Sequence, residues 1–266
     1  MKILITNDDG IHAAGLRILA ETVQNFGTVK VFVPEKERSA CGHSMSLHEP
    51  MRCQKIAWNG IETYITNASP ADCVNLGLAI GWPDGCDVVL SGINNGPNLG
   101  LDLTYSGTVA GAMEGAIHGI RSIALSMAFM DARSDHFFET GSQWLSENWE
   151  ALMNQPNPAP SFLNVNIPAI PFSVLKGNQI TKMGPRLYEG QLEQREDPYG
   201  RSYWWYHGDF GCEVENSGSD VDAVRSGYVS ISPLSLDWTD HKLFEELSQN
   251  LSPFDKSSTR STFTQA

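Results

Sequence analysis

The chain has 266 residues, 41% hydrophobic and 18% charged, which supplies a sizeable core and excludes both a wholly disordered chain and a fibre. Its 31 acidic against 18 basic residues give a net charge of −13 with no run of Lys or Arg to oppose it, so a nucleic-acid duplex is not an expected partner. Five cysteines without a C-x-x-C pair, no signal-like start and no apolar run of about 18 residues lead to the expectation of a soluble cytoplasmic protein with no membrane attachment.

Lys2 to Thr6 and Thr28 to Val33 read as strands. Between them Leu16, Leu19, Ala20 and Val23 recur at helical spacing, which predicts a helix from about Ala13 to Asn25. Asn59-Gly60, between Met51 to Trp58 and Ile61 to Thr66, is a two-residue hairpin signal. Ser69, Pro70 and Asp72 supply a cap, a first-turn proline and a capping-box acid for the next helix. Asp87 to Ser91 is an apolar strand of the kind covered on both faces, followed by a Gly/Asn-rich loop to Tyr105. A helix starting near Ser106 carries Gly107, Gly111, Gly115 and Gly119 at four-residue spacing, a smooth face suited to lying close on a sheet. Ser122 to Ala128 and Ser134 to Met153 read as the next strand and helix.

This alternation specifies an α/β fold, Rossmann-like, with a mostly parallel sheet flanked by helices. From Gln155 prolines punctuate the chain, and the strands that stand out are Phe162 to Ile167 and Tyr228 to Ser232. The expected organisation is a core over 1–154, a C-terminal portion over 155–251 that completes it, and a flexible tail over 252–266. An arm at about 182–222 holds Tyr188, Tyr199, Tyr203, Trp204, Trp205 and Tyr206 among Arg186, Glu189, Arg195, Glu196 and Arg201. Such a mixture suits an interface better than an interior, and Pro198-Tyr199-Gly200 supplies its turn, so a protruding β-hairpin and a homodimer or homotetramer are expected.

Three polar clusters follow predicted parallel strands: Asn7 to Gly10, Glu35 to Ser39, and Gly92 to Asn95. Open α/β sheets bind ligands beyond the carboxyl ends of their strands, which directs all three to one rim. The adjacent carboxylates of Asp8 and Asp9 call for a cation between them, or else serve as a turn and cap before the helix. With Ser39 and Asn94 they would form an all-oxygen set suited to Mg²⁺ or Mn²⁺, one per subunit. Ser106, Gly107 and Thr108 at a helix start offer hydroxyls and unpaired N–H groups to a phosphate, or simply cap the helix, and Asn98 could line the same pocket. His12, His43 and His118 are isolated candidates for a proton donor. Neither a G-x-x-x-x-G-K-[ST] loop, a G-x-G-x-x-G turn nor a G-x-S-x-G elbow is present.

The sequence resembles the SurE survival proteins, metal-dependent 5'/3'-nucleotidases. The resemblance is carried by Ile5 to Ile11 (ITNDDGI), Pro34 to Ser39 (PEKERS) with Gly42-His43-Ser44, and Pro70 to Val74. Further blocks are Ser91 to Asn94 with Gly96 to Gly100, Tyr105 to Val109 with Glu114-Gly115, and Asp220 to Val224 leading into Gly227 to Ser230. It implies a divalent metal on Asp8, Asp9, Ser39 and Asn94, phosphate near Asn98 and Ser106 to Thr108, and an arm used for oligomerisation. Ala68-Ser69 and Tyr199 depart from the family pattern, which usually has Gly-Thr and, commonly, Arg there.

The expected activity is hydrolysis of nucleoside 5'- or 3'-monophosphates, with short polyphosphate as a further candidate substrate, and Asp8 or Asp9 orienting or deprotonating the water. On this reading Thr108→Val weakens phosphate binding and spares Mn²⁺. A receiver-like signalling domain shares the acidic pair but needs a phospho-acceptor carboxylate ending the third parallel strand, where this chain has Ser91-Gly92. A variant enzyme chemistry would use Asp8 as a covalent nucleophile.

Overall fold

The computed structural model describes residues 1–129, 137–185, 190–207 and 218–251. In chain order the elements are β1 (Lys2–Thr6), α1 (Ala14–Val23), β2 (Thr28–Pro34), β3 (Cys53–Trp58), β4 (Ile61–Thr66) and α2 (Pro70–Leu76). There follow β5 (Val88–Asn95), α3 (Gly107–Ile117), β6 (Arg121–Ala128), α4 (Phe138–Met153), β7 (Ser161–Pro168) and β8 (Asn178–Ile180). The chain ends through β9 (Gln191–Glu196), β10 (Ser202–His207), α5 (Asp220–Arg225), β11 (Val229–Ser235) and α6 (His241–Asn250).

A nine-stranded sheet has the order β3-β4-β2-β1-β5-β6-β7-β11-β8. Strands β4, β2, β1, β5, β6 and β7 run parallel, while β3 and β11 pair antiparallel with β4 and β7. Side chains alternate across a strand, so Ile3, Ile5, Val31 and Val33 join the α1 and α4 side of the core. Leu4, Phe32 and Val89 instead meet Cys73 and Val74 of α2 on the other face. Both faces are covered, which is why these strands are nearly continuous apolar runs.

The local signals for hairpin and cap are realised. Asn59 and Gly60 have φ of 48° and 72°, as a type I′ turn requires. Ser69 and Asp72 form the reciprocal capping box of α2.

Several boundaries differ from expectation. β5 does not stop at Ser91 but continues to Asn95, with its register on β6 shifting between Ser91 and Asn94. Gly92 makes this possible: its φ is 133°, and a Cβ there would lie 2.3 Å from the Leu125 carbonyl oxygen. Gly111 and Gly115 face the sheet and Gly107 faces Asp8 beyond the end of β1, but Gly119 lies beyond α3 with φ 72°, in the turn that ends it. The helix expected from Ser134 begins at Phe138, and residues 130–136 lie outside the described ones. The parallel sheet also runs one strand into the proline-rich stretch, since β7 pairs parallel with β6.

The arm is a separate two-stranded antiparallel sheet, β9 with β10. Asp197 builds its turn, its Oδ1 accepting from the N–H groups of Tyr199 at 2.8 Å and Arg201 at 3.0 Å. Trp204, Trp205 and Tyr206 are each more than half exposed, although neighbours on a strand point to opposite faces. Arg186, Tyr188 and Glu189 of the expected arm lie outside the described residues, as does the tail 252–266.

A second unit begins at Asp237. Its α6 was not anticipated, although Asp240 caps it by accepting from the Leu243 N–H at 3.0 Å and the L-F-x-x-L pattern follows directly.

Candidate functional site

Asn7, fully buried, closes the turn after β1. Its Nδ2 donates to the Gly10 carbonyl at 2.9 Å and its Oδ1 accepts from the Gly10 N–H at 3.2 Å. The turn carries Asp8 and Asp9 beyond the end of β1, where the strand order reverses: β1, β2 and β4 proceed one way, β5, β6 and β7 the other. A crevice at such a reversal is the usual ligand position in an open α/β sheet. Backbone bonds join the three polar clusters there. The Arg38 N–H donates to the Asp8 carbonyl at 2.7 Å, and the Asn95 N–H donates to Asp9 Oδ2 at 3.2 Å.

The resulting cleft is about 650 Å³, within the range of small-molecule sites. Asp8, Asp9, Glu37, Ser39, Asn94, Asn98, Asp102 and Ser106 all line it, and among the described residues no Lys or Arg does. Burial pushes the Asp8 carboxyl above its ordinary range, opposed by the Thr108 hydroxyl that donates to Oδ1 and by backbone N–H groups at the start of α3. Asp9 is pushed up to about 6, first by burial and then by the neighbouring Asp8 charge, with the Asn95 N–H pulling the other way. Asn94 spends its Nδ2 on the Gly96 carbonyl at 2.9 Å, which leaves Oδ1 as its acceptor. Ser39 is exposed and donates to Glu37 Oε1 at 2.6 Å, keeping lone pairs on its oxygen. Two crowded carboxylates beside neutral oxygens, with no Lys or Arg on the wall among the described residues, fit a hard divalent cation such as Mg²⁺ or Mn²⁺.

At the start of α3 the arrangement is tighter than the sequence suggests. Ser106 Oγ caps the helix by accepting from the Val109 N–H at 3.1 Å while the residue lines the cleft. A Cβ on Gly107 would stand 2.8 Å from Asp8 Cβ and 2.9 Å from Cys41 Sγ, so only glycine lets the helix end approach this closely. Thr108 is fully buried, its hydroxyl committed to Asp8 rather than presented to the cleft.

Asn98 sits in a buried polar cluster that sequence reasoning missed. Its N–H donates to Asn166 Oδ1 at 2.8 Å, and its carbonyl accepts from Asn164 and Asn166 amides at 2.8 and 2.9 Å. Its own Nδ2 meets Ser126 Oγ at 2.7 Å. The available signal was Asn164-Val165-Asn166, two amides on one face of an otherwise apolar strand.

Of the three histidines only His12 lines the cleft. His43 Nε2 lies 2.7 Å from Glu114 Oε2, and His118 Nε2 lies 2.8 Å from Asn75 Oδ1. The receiver reading finds no support, because β5 ends in Ser91-Gly92-Ile93-Asn94-Asn95 without a carboxylate.

A family model described as "Survival protein SurE" matches residues 3–190. The chain is 41% identical over 241 residues to the 5'-nucleotidase SurE of Geobacter sulfurreducens, covering 91% of this chain and 90% of that protein. It is likewise 41% identical over 257 residues to the 5'-nucleotidase SurE of Synechococcus elongatus, covering 93% and 98%. The crystal structure of the SurE protein from Aquifex aeolicus superposes with a TM-score of 0.81 at 38% identity, over 94% of this chain and 99% of that one. With a doubly wound sheet, an acidic crevice at its strand reversal and matches of this extent, the chain belongs to the SurE family.

Proposed function

We propose that this protein is a metal-dependent 5'-nucleotidase, hydrolysing nucleoside monophosphates to nucleoside and phosphate, with 3'-monophosphates and short polyphosphate as further substrates to be measured. The names of its relatives support the nucleotide substrate. The observation that carries the chemistry is the cleft itself: Asp8, Asp9, Glu37 and Asp102 on its wall, no Lys or Arg there among the described residues, and the start of α3 adjoining Asp8. A phosphate dianion would be repelled by those carboxylates alone. Asp8, Asp9, Ser39 and Asn94 would hold one Mg²⁺ or Mn²⁺ per subunit, which supplies Lewis acidity toward a phosphate oxygen and a bound water.

The chain's own groups do the rest. The Asn95 N–H engages Asp9 Oδ2, so Oδ1 is the oxygen that orients the attacking water and takes its proton. The start of α3 holds Asp8 through the Thr108 hydroxyl and N–H groups, and its positive dipole end would stabilise phosphate charge developing beside Asp8. A substrate panel separates this reading from its competitors. Release of phosphate from nucleoside 5'-monophosphates, exceeding that from sugar phosphates, supports it; no release from any nucleotide contradicts it.

The Thr108 bond to Asp8 supports linked metal and phosphate subsites rather than the separable ones expected from the sequence. Thr108→Val is therefore expected to weaken Mn²⁺ binding as well as phosphate binding, each by about tenfold, the usual scale for removing a group that supports a metal ligand. Calorimetry with Mn²⁺ and with orthophosphate checks this, and unchanged Mn²⁺ affinity would restore the separable arrangement.

The arm supports a homodimer or homotetramer. A lone two-stranded hairpin with exposed Trp and Tyr side chains is marginal in water, whereas those residue types favour interfaces. Replacing residues 187–206 with a short Gly/Ser linker is expected to lower the assembly state seen by light scattering. An intact protein that is monomeric at micromolar concentration would contradict this. Among the described residues no helix is long and apolar enough to cross a membrane.

A further inference from the structure

The segment 35–46, which carries Ser39, leaves the end of β2 and crosses the start of α3. Its fastenings are distributed along its length. Near Ser39 it is tied by the Arg38 N–H to the Asp8 carbonyl. Beyond Ser39 the Gly42 N–H donates to the Tyr105 carbonyl at 2.9 Å, and Ser46 binds the Asp72 carboxylate through its N–H and hydroxyl. Between these points His43 reaches Glu114 of α3. Ser39 itself is exposed and, among the described residues, bonds one of its own segment, Glu37. Its place over the cleft therefore depends on the fastenings either side of it.

Glu114 is an unusual anchor. It is 6% exposed, on the helix that supports Asp8, and a buried carboxylate is costly unless fully partnered. Asn75 of α2 donates to its Oε1 at 2.9 Å, and His43 engages Oε2 at 2.7 Å. His118 stands 3.6 Å from Oε1 and bonds Asn75 Oδ1, bracing the amide. The bond to His43 is also the largest influence holding the Glu114 carboxyl below its ordinary range. The strongest contact of this buried carboxylate thus goes to the Ser39 segment.

We propose that His43 and Glu114 are positioning residues, a latch that holds the Ser39 segment against α3 and so sets the affinity of the Asp8, Asp9, Ser39 and Asn94 site for its divalent cation. The inference rests on the proposed metal site and adds what organises its most exposed member. His43 acts through Ser39; it does not line the cleft and is not a catalytic residue. Removing the latch leaves Asp8, Asp9 and Asn94 on their rigid strand ends and frees one ligand, so affinity falls while chemistry at saturating metal persists.

Calorimetric titration of the full-length, EDTA-treated and dialysed protein with Mn²⁺ tests this, with activity at varied Mn²⁺ as a second readout. His43→Ala is expected to weaken Mn²⁺ binding by about tenfold, to raise the Mn²⁺ concentration for half-maximal rate equally, and to leave kcat at saturating Mn²⁺ within about twofold. His43→Gln, whose amide can reach the same carboxylate oxygen, is expected to restore affinity to within about threefold of wild type. Asn75→Ala removes a different bond to Glu114 without touching the segment, and is expected to lower the melting temperature while sparing Mn²⁺ affinity. Unchanged affinity in His43→Ala, no rescue by His43→Gln, or an equal loss in Asn75→Ala would overturn the latch. Absence of Mn²⁺ binding by the wild type would instead overturn the metal site on which it rests.

Discussion

Asp9→Asn is expected to lower nucleotide hydrolysis by at least about tenfold while raising the melting temperature of the metal-free protein. The loss follows from removing one of two carboxylates at the strand reversal with little change of volume, and Asp8→Asn is expected to match it in rate. The gain in stability follows from the Asp9 carboxyl. Burial and the Asp8 charge both disfavour its ionised form and push it up to about 6, from an ordinary value near 3.8. Between about pH 4 and pH 6 the folded state keeps a proton that the unfolded state has released. The stabilising contribution of protonated Asp9 is therefore complete below about 4 and is lost as pH rises through 6. Above 6 the fold carries an unfavourable charge. Allowing for solvent screening at a partly exposed group, relieving it is worth on the order of 1 to 2 kcal/mol, a rise of about 2 to 6 °C. Thermal melts in EDTA from pH 4.5 to 8 check this: the difference between wild type and Asp9→Asn should widen toward pH 7. An Asp9→Asn protein less stable than wild type at pH 7.5 would contradict the electrostatic account.

The second large effect lies away from the cleft. Asp220 is fully buried, its Oδ2 accepting from the Gly100 N–H at 2.8 Å and its Oδ1 from the N–H groups of Gly184 at 2.8 Å and Val221 at 2.9 Å. One side chain from α5 thus fastens the loop that follows Asn98 to the segment entering the arm. Burial raises its carboxyl pKa, and the three N–H groups oppose that shift. Asp220→Ala leaves those donors unsatisfied at about 1 to 3 kcal/mol each, partly offset because a buried charge is also removed. A net loss of about 3 kcal/mol and a fall in melting temperature of roughly 6 to 12 °C are expected, read by differential scanning calorimetry. A fall of less than about 2 °C would show that the Gly100 loop is held by other means.

What the sequence disclosed was local. The Asn59-Gly60 turn, the Ser69 capping box and the apolar strands β1 and β5 each depend on residues a few positions apart, where side-chain chemistry and backbone preference act directly. The rim was legible for the same reason, because polar clusters ending parallel strands have one place to go. What stayed hidden depends on distance along the chain. Asn98 meets Asn166 across 68 residues, Gly100 meets Asp220 across 120, and Thr108 meets Asp8 across 100. No periodicity reports such pairs. That the Thr108 hydroxyl bonds Asp8 and that His43 meets Glu114 could not be read from the sequence around either residue. The extension of β5 depends on Gly92 packing against the Leu125 carbonyl, a contact that no turn or strand preference of the sequence encodes.

The claim on which the rest depends is that an oxygen-lined cation site turns this acidic cleft into a phosphate site. Its most direct test is the rate of phosphate release from a nucleoside 5'-monophosphate by EDTA-treated, dialysed protein before and after Mn²⁺ or Mg²⁺ is added back. Expected are a loss of at least about a hundredfold without metal, recovery with Mn²⁺ or Mg²⁺, and recovery to no more than about a tenth of the wild-type rate in Asp8→Asn or Asp9→Asn. Full activity in EDTA, or restoration by metal in both variants to the wild-type rate, would contradict it.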